Sequence, residues 1–197
     1  RARFQSHRAT LEKIGNLYGV EPQYIVALWG LETNFGARAG TFDIIQALAT
    51  LAYDGRRSAF FRQELLKALQ IIDQGHVPLD KMKGSWAGAM GQIQFMPSSF
   101  FNYAVDADGD GRKDIWQTPE DVFASAANYL AQSGWRKGGP VDQRVILPSS
   151  FDRHYIGIDK EASLQVWHDR GVRLPDGGAI PYQGDITASI IQPDGQG

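Results

Sequence analysis

The chain has no cysteine among its 197 residues, so neither a disulfide nor a thiolate-held metal contributes to its stability or chemistry. That suits a compartment of variable redox state, such as the periplasm. Also missing is any apolar run near the roughly 20 residues that cross a bilayer, and Arg1 to Lys13 has no apolar stretch of the secretory kind. The chain is therefore expected to be soluble, with no membrane segment. An excess of one charge is lacking too: the formal net charge is −2, with acids and bases interspersed. This excludes the electrostatic footprint of a nucleic-acid or anionic-membrane binder and leaves recognition to local pockets. What remains is 43% apolar, enough for one sizeable core with an annex.

Glycines punctuate the N-terminal two thirds. Helices are expected from Phe4 to Tyr18 before Gly19, from Ser58 to Gln74 before Gly75, and from Thr118 to Ser133 before Gly134. In the second, Phe61, Leu65, Leu69 and Ile72 recur at spacings of three and four, predicting a core-facing stripe. The texture changes at Gly138-Gly139-Pro140, after which short strands and loops are expected, among them Val145-Ile146-Leu147 and Ile186 to Ile191. A short helix is expected from Ser163 to Arg170, and Pro193 to Gly197 reads as a frayed or truncated end. The organisation predicted is a mainly helical α+β protein, with residues 1–137 as the principal unit and 138–197 as a strand- and loop-rich extension packed on it.

Pro22 is well placed as a first helical residue, and Asn34 and Gly36 mark the exit of that helix. Glu32 then falls in the last turn. Helical spacing puts it on one face with Ile25, Leu28 and Trp29, a stripe on which a carboxylate would be poorly solvated and its neutral form favoured. A neutral carboxylic acid can donate a proton, which glycosidic cleavage requires because the leaving alkoxide is too basic to depart unaided. An acid at a helix end is, on its own, more often a salt-bridge partner or a solvated group.

The run Ser85-Trp86-Ala87-Gly88-Ala89-Met90-Gly91-Gln92-Ile93-Gln94-Phe95-Met96-Pro97 mixes small residues, amides and bulky apolar groups. If it is extended, Gln92 and Gln94 share a side, and their amides match sugar hydroxyls and N-acetyl groups. Trp86 and Phe95 would then cover the apolar face of a pyranose. The plainer alternative is a tight connection between helices. Downstream, Asp106-Ala107-Asp108-Gly109-Asp110-Gly111-Arg112 follows the first seven positions of an EF-hand loop. Asp106, Asp108, Asp110 and the Arg112 carbonyl take the ligand positions, but Gln117 at the twelfth cannot supply a bidentate carboxylate. Glu120 or Asp121 is expected to complete a longer loop, although both also suit the first turn of a helix. A structural calcium is expected, with sodium as the alternative occupant.

These segments resemble the lytic transglycosylase B family, whose members cut bacterial peptidoglycan. Trp29-Gly30-Leu31-Glu32-Thr33-Asn34-Phe35-Gly36, Ser85 through Ser99, and the Asp106 loop with Trp116 and Asn128-Tyr129 carry the resemblance, over most of residues 4–135. It implies a lysozyme-like catalytic core with an EF-hand-like loop and Glu32 as the sole general acid and base. Ser85, Gln94, Phe95 and Tyr129 would help to hold the saccharide, with Gln92 beside them. It further implies cleavage of the β-1,4 bond between N-acetylmuramic acid and N-acetylglucosamine without water, a 1,6-anhydromuramoyl product, and residence in the periplasm or cell envelope of a Gram-negative bacterium. The family's catalytic unit is longer at both ends. Two other functions fit the residues: a lysozyme-type hydrolase, for which Asp43 or Asp54 would serve as second carboxylate, and a non-catalytic glycan-binding or calcium-dependent module.

Overall fold

The computed structural model describes residues 2–139, 141–181 and 186–192. The chain divides into two compact units, Arg1–Gly139 and Pro140–Gly197. In the first, helices α1 (Ala2–Ser6), α2 (Arg8–Tyr18) and α3 (Pro22–Thr33) precede strand β1 (Phe42–Asp43), and helices α4 (Ile44–Tyr53) and α5 (Ser58–Asp73) follow it. Strand β2 (Lys83–Gly84), α6 (Pro97–Tyr103) and α7 (Pro119–Gln132) complete the unit. The two strands pair antiparallel, Phe42 with Gly84 and Asp43 with Lys83.

The helix expected from Phe4 to Tyr18 is two. His7 leaves the helical region at φ −120° and ψ 18°, and its ring wedges edge-on against Trp29 and Phe123, with centroids 5.6 and 5.2 Å away. Packing of that ring outweighs continuation of the helix. Gly19 closes α2 with φ 66°, Pro22 opens α3, and Asn34 closes α3 in the left-handed region at φ 50°. Helices α4 and α6 were not among the elements predicted. Asp43 starts the first by accepting from the Gln46 amide at 3.1 Å, and Pro97 starts the second.

On α5 the buried residues are Glu64, Ala68 and Ile71. Phe61, Leu65 and Ile72 flank them, partly buried against the core, whereas Leu69 is 45% exposed. The stripe is rotated by one residue from the predicted one because a carboxylate sits on it: Glu64 accepts from the Ser98 amide at 2.8 Å, capping α6. Helix α7 packs against α2, α3 and α6, and Asp121 through Ala127 are all buried. A helix buried on all sides belongs to the centre of a core. Its small residues Ala124, Ser125, Ala126 and Ala127 suit close approach of its neighbours, and Ser125 Oγ accepts from the Val105 amide at 2.9 Å.

The second unit has its own core of Leu164, Trp167 and Val172. The expected short helix is present as α8 (Leu164–Asp169), capped by Ser163. Of the expected strands, Ile186 to Ile191 keeps only β4 (Thr187–Ala188), which pairs with an unpredicted β3 (Ala162–Ser163), and Val145-Ile146-Leu147 is reduced to an isolated bridge from Ile146 to Arg173. Local packing rather than sheet supports this unit, for example the Trp167 indole donating to the Ala188 carbonyl at 2.7 Å. The frayed end expected at Pro193 to Gly197 lies outside the described residues.

Candidate functional site

Glu32 lies in the last turn of α3, as the sequence predicts, but its surroundings differ from the prediction. The buried face of α3 is Ile25, Trp29 and Thr33, a strict spacing of four that places Thr33 on the stripe and Glu32 beside it. Glu32 is exposed, and its neighbour Leu31 is 86% exposed. The expected desolvation of Glu32 is therefore absent: the apolar stripe turns into the core one residue later than predicted, and the carboxylate faces solvent.

The residues on either side of Glu32 are locked. The Trp29 indole donates to Gln92 Oε1 at 2.7 Å, and the Thr33 hydroxyl donates to the Gln92 carbonyl at 2.7 Å. Thr33 Oγ1 also accepts from the Gly36 amide at 3.0 Å. Gln92 Nε2 donates to the Trp116 carbonyl at 2.7 Å, and the Gln92 amide donates to the Ile115 carbonyl at 2.8 Å. One glutamine thus joins the end of α3, its own loop and the chain just beyond the acidic segment. Sequence reasoning assigned Gln92 to the saccharide. Instead, both ends of its amide are engaged inside the protein. Trp29 and Thr33 were overlooked as partners, although the Ile25-Trp29-Thr33 spacing was visible in the sequence.

The loop holding Gln92 is not extended. Gly91 has φ 66°, and a Cβ there would meet the Ile115 carbonyl oxygen at 2.6 Å, so only glycine fits this turn. Gln94 is also left-handed, at φ 51°, which removes the shared side predicted for Gln92 and Gln94. Its Nε2 donates to the carbonyls of Gly91 (2.8 Å) and Ala39 (3.1 Å). Its Oε1 accepts no hydrogen bond among the described residues. Ser85 Oγ accepts from the Ala89 amide at 3.0 Å, closing the start of the loop.

Phe95 is only 5% exposed and belongs to the core, so it offers no face to a pyranose. Its ring meets Tyr129 edge-on at 5.9 Å, and Tyr129 meets Tyr103 at 5.2 Å. Tyr129, 37% exposed, is the member of this cluster open to solvent. Trp86 is 64% exposed. It lines a shallow depression of about 510 Å³ with Phe42, Ser85 and the turn after α3.

The two other carboxylates considered for a hydrolase are engaged elsewhere. Asp43 caps α4 and pairs with Lys83 at 3.4 Å; the Gln46 amide, against partial burial, holds it below the ordinary carboxylate range. Asp54 pairs with Arg56 at 3.3 Å.

In the acidic segment, carboxylate oxygens of Asp106, Asp108 and Asp110 lie within 4.8 Å of one another. Asp106 accepts from the amides of Gly109 (2.7 Å) and Gly111 (2.9 Å), and Asp110 accepts from that of Arg112 (2.8 Å). Partial burial works against ionisation of Asp106, but these amides prevail and hold it below the ordinary range. Three carboxylates so close repel one another, and an all-oxygen anionic donor set fits a hard cation. Asp121 plays another part: buried at 1% exposure, it accepts from the amides of Ala107 and Asp114, both at 2.7 Å. Both of its oxygens brace the loop from the first turn of α7. Burial pushes its carboxyl up to about 6, with Asp108 and Asp106 adding to the effect. Neither Asp121 nor Glu120 joins the three-aspartate group among the described residues.

A family model described as Transglycosylase SLT domain matches residues 1–197. The membrane-bound lytic murein transglycosylase B of Escherichia coli strain K12 is 41% identical over 159 residues, which are 77% of this chain and 44% of that protein. SltB3 from Pseudomonas aeruginosa, solved in complex with NAG-NAM-pentapeptide, superposes with a TM-score of 0.93 at 44% identity, covering 99% of this chain and 52% of that one. The Escherichia coli lytic transglycosylase Slt35, solved in complex with calcium, gives a TM-score of 0.83 at 35% identity, covering 94% of this chain and 58% of that one. The chain thus spans about half the length of these relatives.

Proposed function

The chain belongs to the transglycosylase SLT domain family, and on that premise we propose that it is a peptidoglycan lytic transglycosylase in which Glu32 is the only general acid and base. Residues 1–137 form the lysozyme-like catalytic part and 138–197 an extension of it. The observation that carries this reading is the setting of Glu32. Its carboxylate is open to solvent, while the helix beneath it is fixed through Trp29 and Thr33 to Gln92. A catalytic acid needs that combination: access to a bulky polymer, on a support that does not drift.

Glu32 first donates its proton to the glycosidic oxygen as the bond from muramoyl C1 breaks, and N-acetylglucosamine leaves with a free hydroxyl. The resulting carboxylate then takes the proton of the muramoyl C6 hydroxyl, whose oxygen bonds to C1. The 1,6-anhydro ring closes with no water consumed, and Glu32 ends protonated for the next cycle. Bound sugar would supply the desolvation that the open carboxylate lacks. Gln94 Oε1, Ser85 and the exposed Tyr129 are the groups assigned to the saccharide. Phe95 supports Tyr129 from the core, and Gln92 positions α3.

Asp106, Asp108 and Asp110, with the Arg112 carbonyl, would hold calcium, with sodium as the alternative. The ion would supply neutralisation of three crowded carboxylates and no chemistry on the glycan. Glu120 remains a candidate to close the site through its side chain, whereas Asp121 serves as the brace. The setting proposed is the bacterial cell envelope, the periplasm of a Gram-negative organism. Mass spectrometry of soluble products from purified peptidoglycan tests the reaction: 1,6-anhydromuramoyl ends are expected, and reducing ends would assign a hydrolase.

A further inference from the structure

The acidic segment is framed by aspartates, with one exception. Between Ala107 and Asp114, each amide held by a side chain donates to Asp106, Asp108, Asp110 or Asp121, save that of Lys113. The Lys113 amide donates instead to His76 Nδ1, at 3.2 Å. A ring nitrogen that accepts a hydrogen bond carries no proton, so the imidazole is neutral and adds no charge to a crowded anionic loop.

His76 is held by the core rather than by the loop. Gly75 turns the chain out of α5 at φ 78°, the His76 amide donates to the Ile71 carbonyl at 3.2 Å, and Val77 beyond it is buried. The His76 ring lies against Phe100, which is fully buried, with centroids 5.3 Å apart. The nitrogen offered to Lys113 is therefore set in place by α5 and α6.

The peptide unit held in this way is the one that carries the Arg112 carbonyl. No peptide bond among the described residues is cis. Across a planar trans peptide the N–H and C=O point in opposite directions, so fixing one fixes the other. The Arg112 carbonyl accepts no hydrogen bond among the described residues, which leaves its oxygen free for a ligand. The next peptide is pinned separately, because the Asp114 amide donates to Asp121 at 2.7 Å. Resting on the reading of this loop as a cation site, we propose that His76 is a positioning residue for it: its Nδ1 holds the Arg112–Lys113 peptide in the orientation in which the Arg112 carbonyl is a ligand. Donation from the same peptide to His76 also polarises that carbonyl, which makes its oxygen a better ligand for a hard cation.

Calorimetric titration of the metal-free protein with calcium chloride tests this without requiring turnover, at about pH 7.5, where histidine is neutral. H76F keeps a ring against Phe100 and removes the acceptor, whereas H76M removes both. H76N removes the ring but keeps an acceptor close to the position of Nδ1. Calcium affinity should follow the acceptor, falling about five- to tenfold in H76F and H76M for the loss of one hydrogen bond. In H76N it should stay within about twofold of the parent. A role confined to packing would instead lower the melting temperature in chelator without moving the affinity. Unchanged affinity in folded H76F or H76M would overturn the proposal, as would an equal weakening in H76N. Absence of calcium binding by the parent would overturn the cation reading and the proposal with it, a result distinct from binding that is indifferent to His76.

Discussion

Two glycine-containing loops of the first unit, residues 85–97 and 106–117, solve the same problem in opposite ways. The first satisfies itself: Gln92 alone links Trp29, Thr33, Ile115 and Trp116, and Phe95 anchors the loop in the core. Its shape depends on neutral hydrogen bonds and packing, which salt and chelators do not touch. The second gathers Asp106, Asp108 and Asp110 within 4.8 Å and leaves their mutual repulsion to be offset from outside. One loop is a fixed support for α3. The other, if it holds a cation as proposed, is a support whose strength varies with the solution; the first reaches α3 directly through Gln92, and the second through Ile115 and Trp116 to Gln92.

The strongest way to break this contrast is Q92L. The substitution removes the acceptor of the Trp29 indole and the donor to the Trp116 carbonyl, leaving part-buried partners unsatisfied. Urea unfolding should show a loss of about 2–4 kcal/mol for the two bonds together, independent of calcium. A loss below about 0.5 kcal/mol would show that Gln92 is not the junction, since surface changes alone reach that size. A smaller effect is expected from chelation, because an ion bound only by the folded state stabilises it by mass action. The melting temperature should fall by about 3 °C when calcium is withdrawn. D110N should abolish that response, and in chelator it should melt no lower than the parent, since it relieves repulsion. An unchanged melting temperature with chelator and with excess calcium would remove the cation from the account.

The smallest effect concerns pH where the acidic loop meets the turn after α5. His76 Nδ1 accepts from the Lys113 amide at 3.2 Å. Burial, then the nearby Lys113 charge, lowers its affinity for a proton below the ordinary histidine range, with Asp106 opposing weakly. A histidine depressed in the folded state contributes stability that is present above the unfolded value of about 6.5 and is lost as pH falls through the folded value. In chelator, the melting temperature should therefore decline more steeply below about pH 6.5 for the parent than for H76N. Parallel curves would show that His76 does not carry that slope.

Much of this was legible in the sequence, and the failures share a cause. The glycine and asparagine stops, Pro22, the family resemblance and the mainly helical α+β class were readable because backbone chemistry is local. The acidic loop was readable for the same reason, as its aspartates are two residues apart. What depended on long-range partners was misread. Gln92 looked like a ligand for sugar because its partners Trp29 and Trp116 lie 63 and 24 residues away. Phe95 looked like a stacking surface because its cover, Tyr103 and Tyr129, belongs to α6 and α7. Glu32 was placed one step too deep because Thr33 takes the buried position by bonding to Gln92. Glu64, a carboxylate inside the stripe of α5, left no local trace, since its partner is the Ser98 amide.

In the proposed reaction one carboxylate, Glu32, does the work of two. The most direct test compares turnover of purified peptidoglycan by the parent, E32Q, D43N and D54N, each assayed below its melting temperature. The account predicts that E32Q loses at least about 100-fold, while D43N and D54N still release 1,6-anhydromuramoyl products. Undiminished cleavage by E32Q would contradict it, as would loss of turnover in folded D43N or D54N.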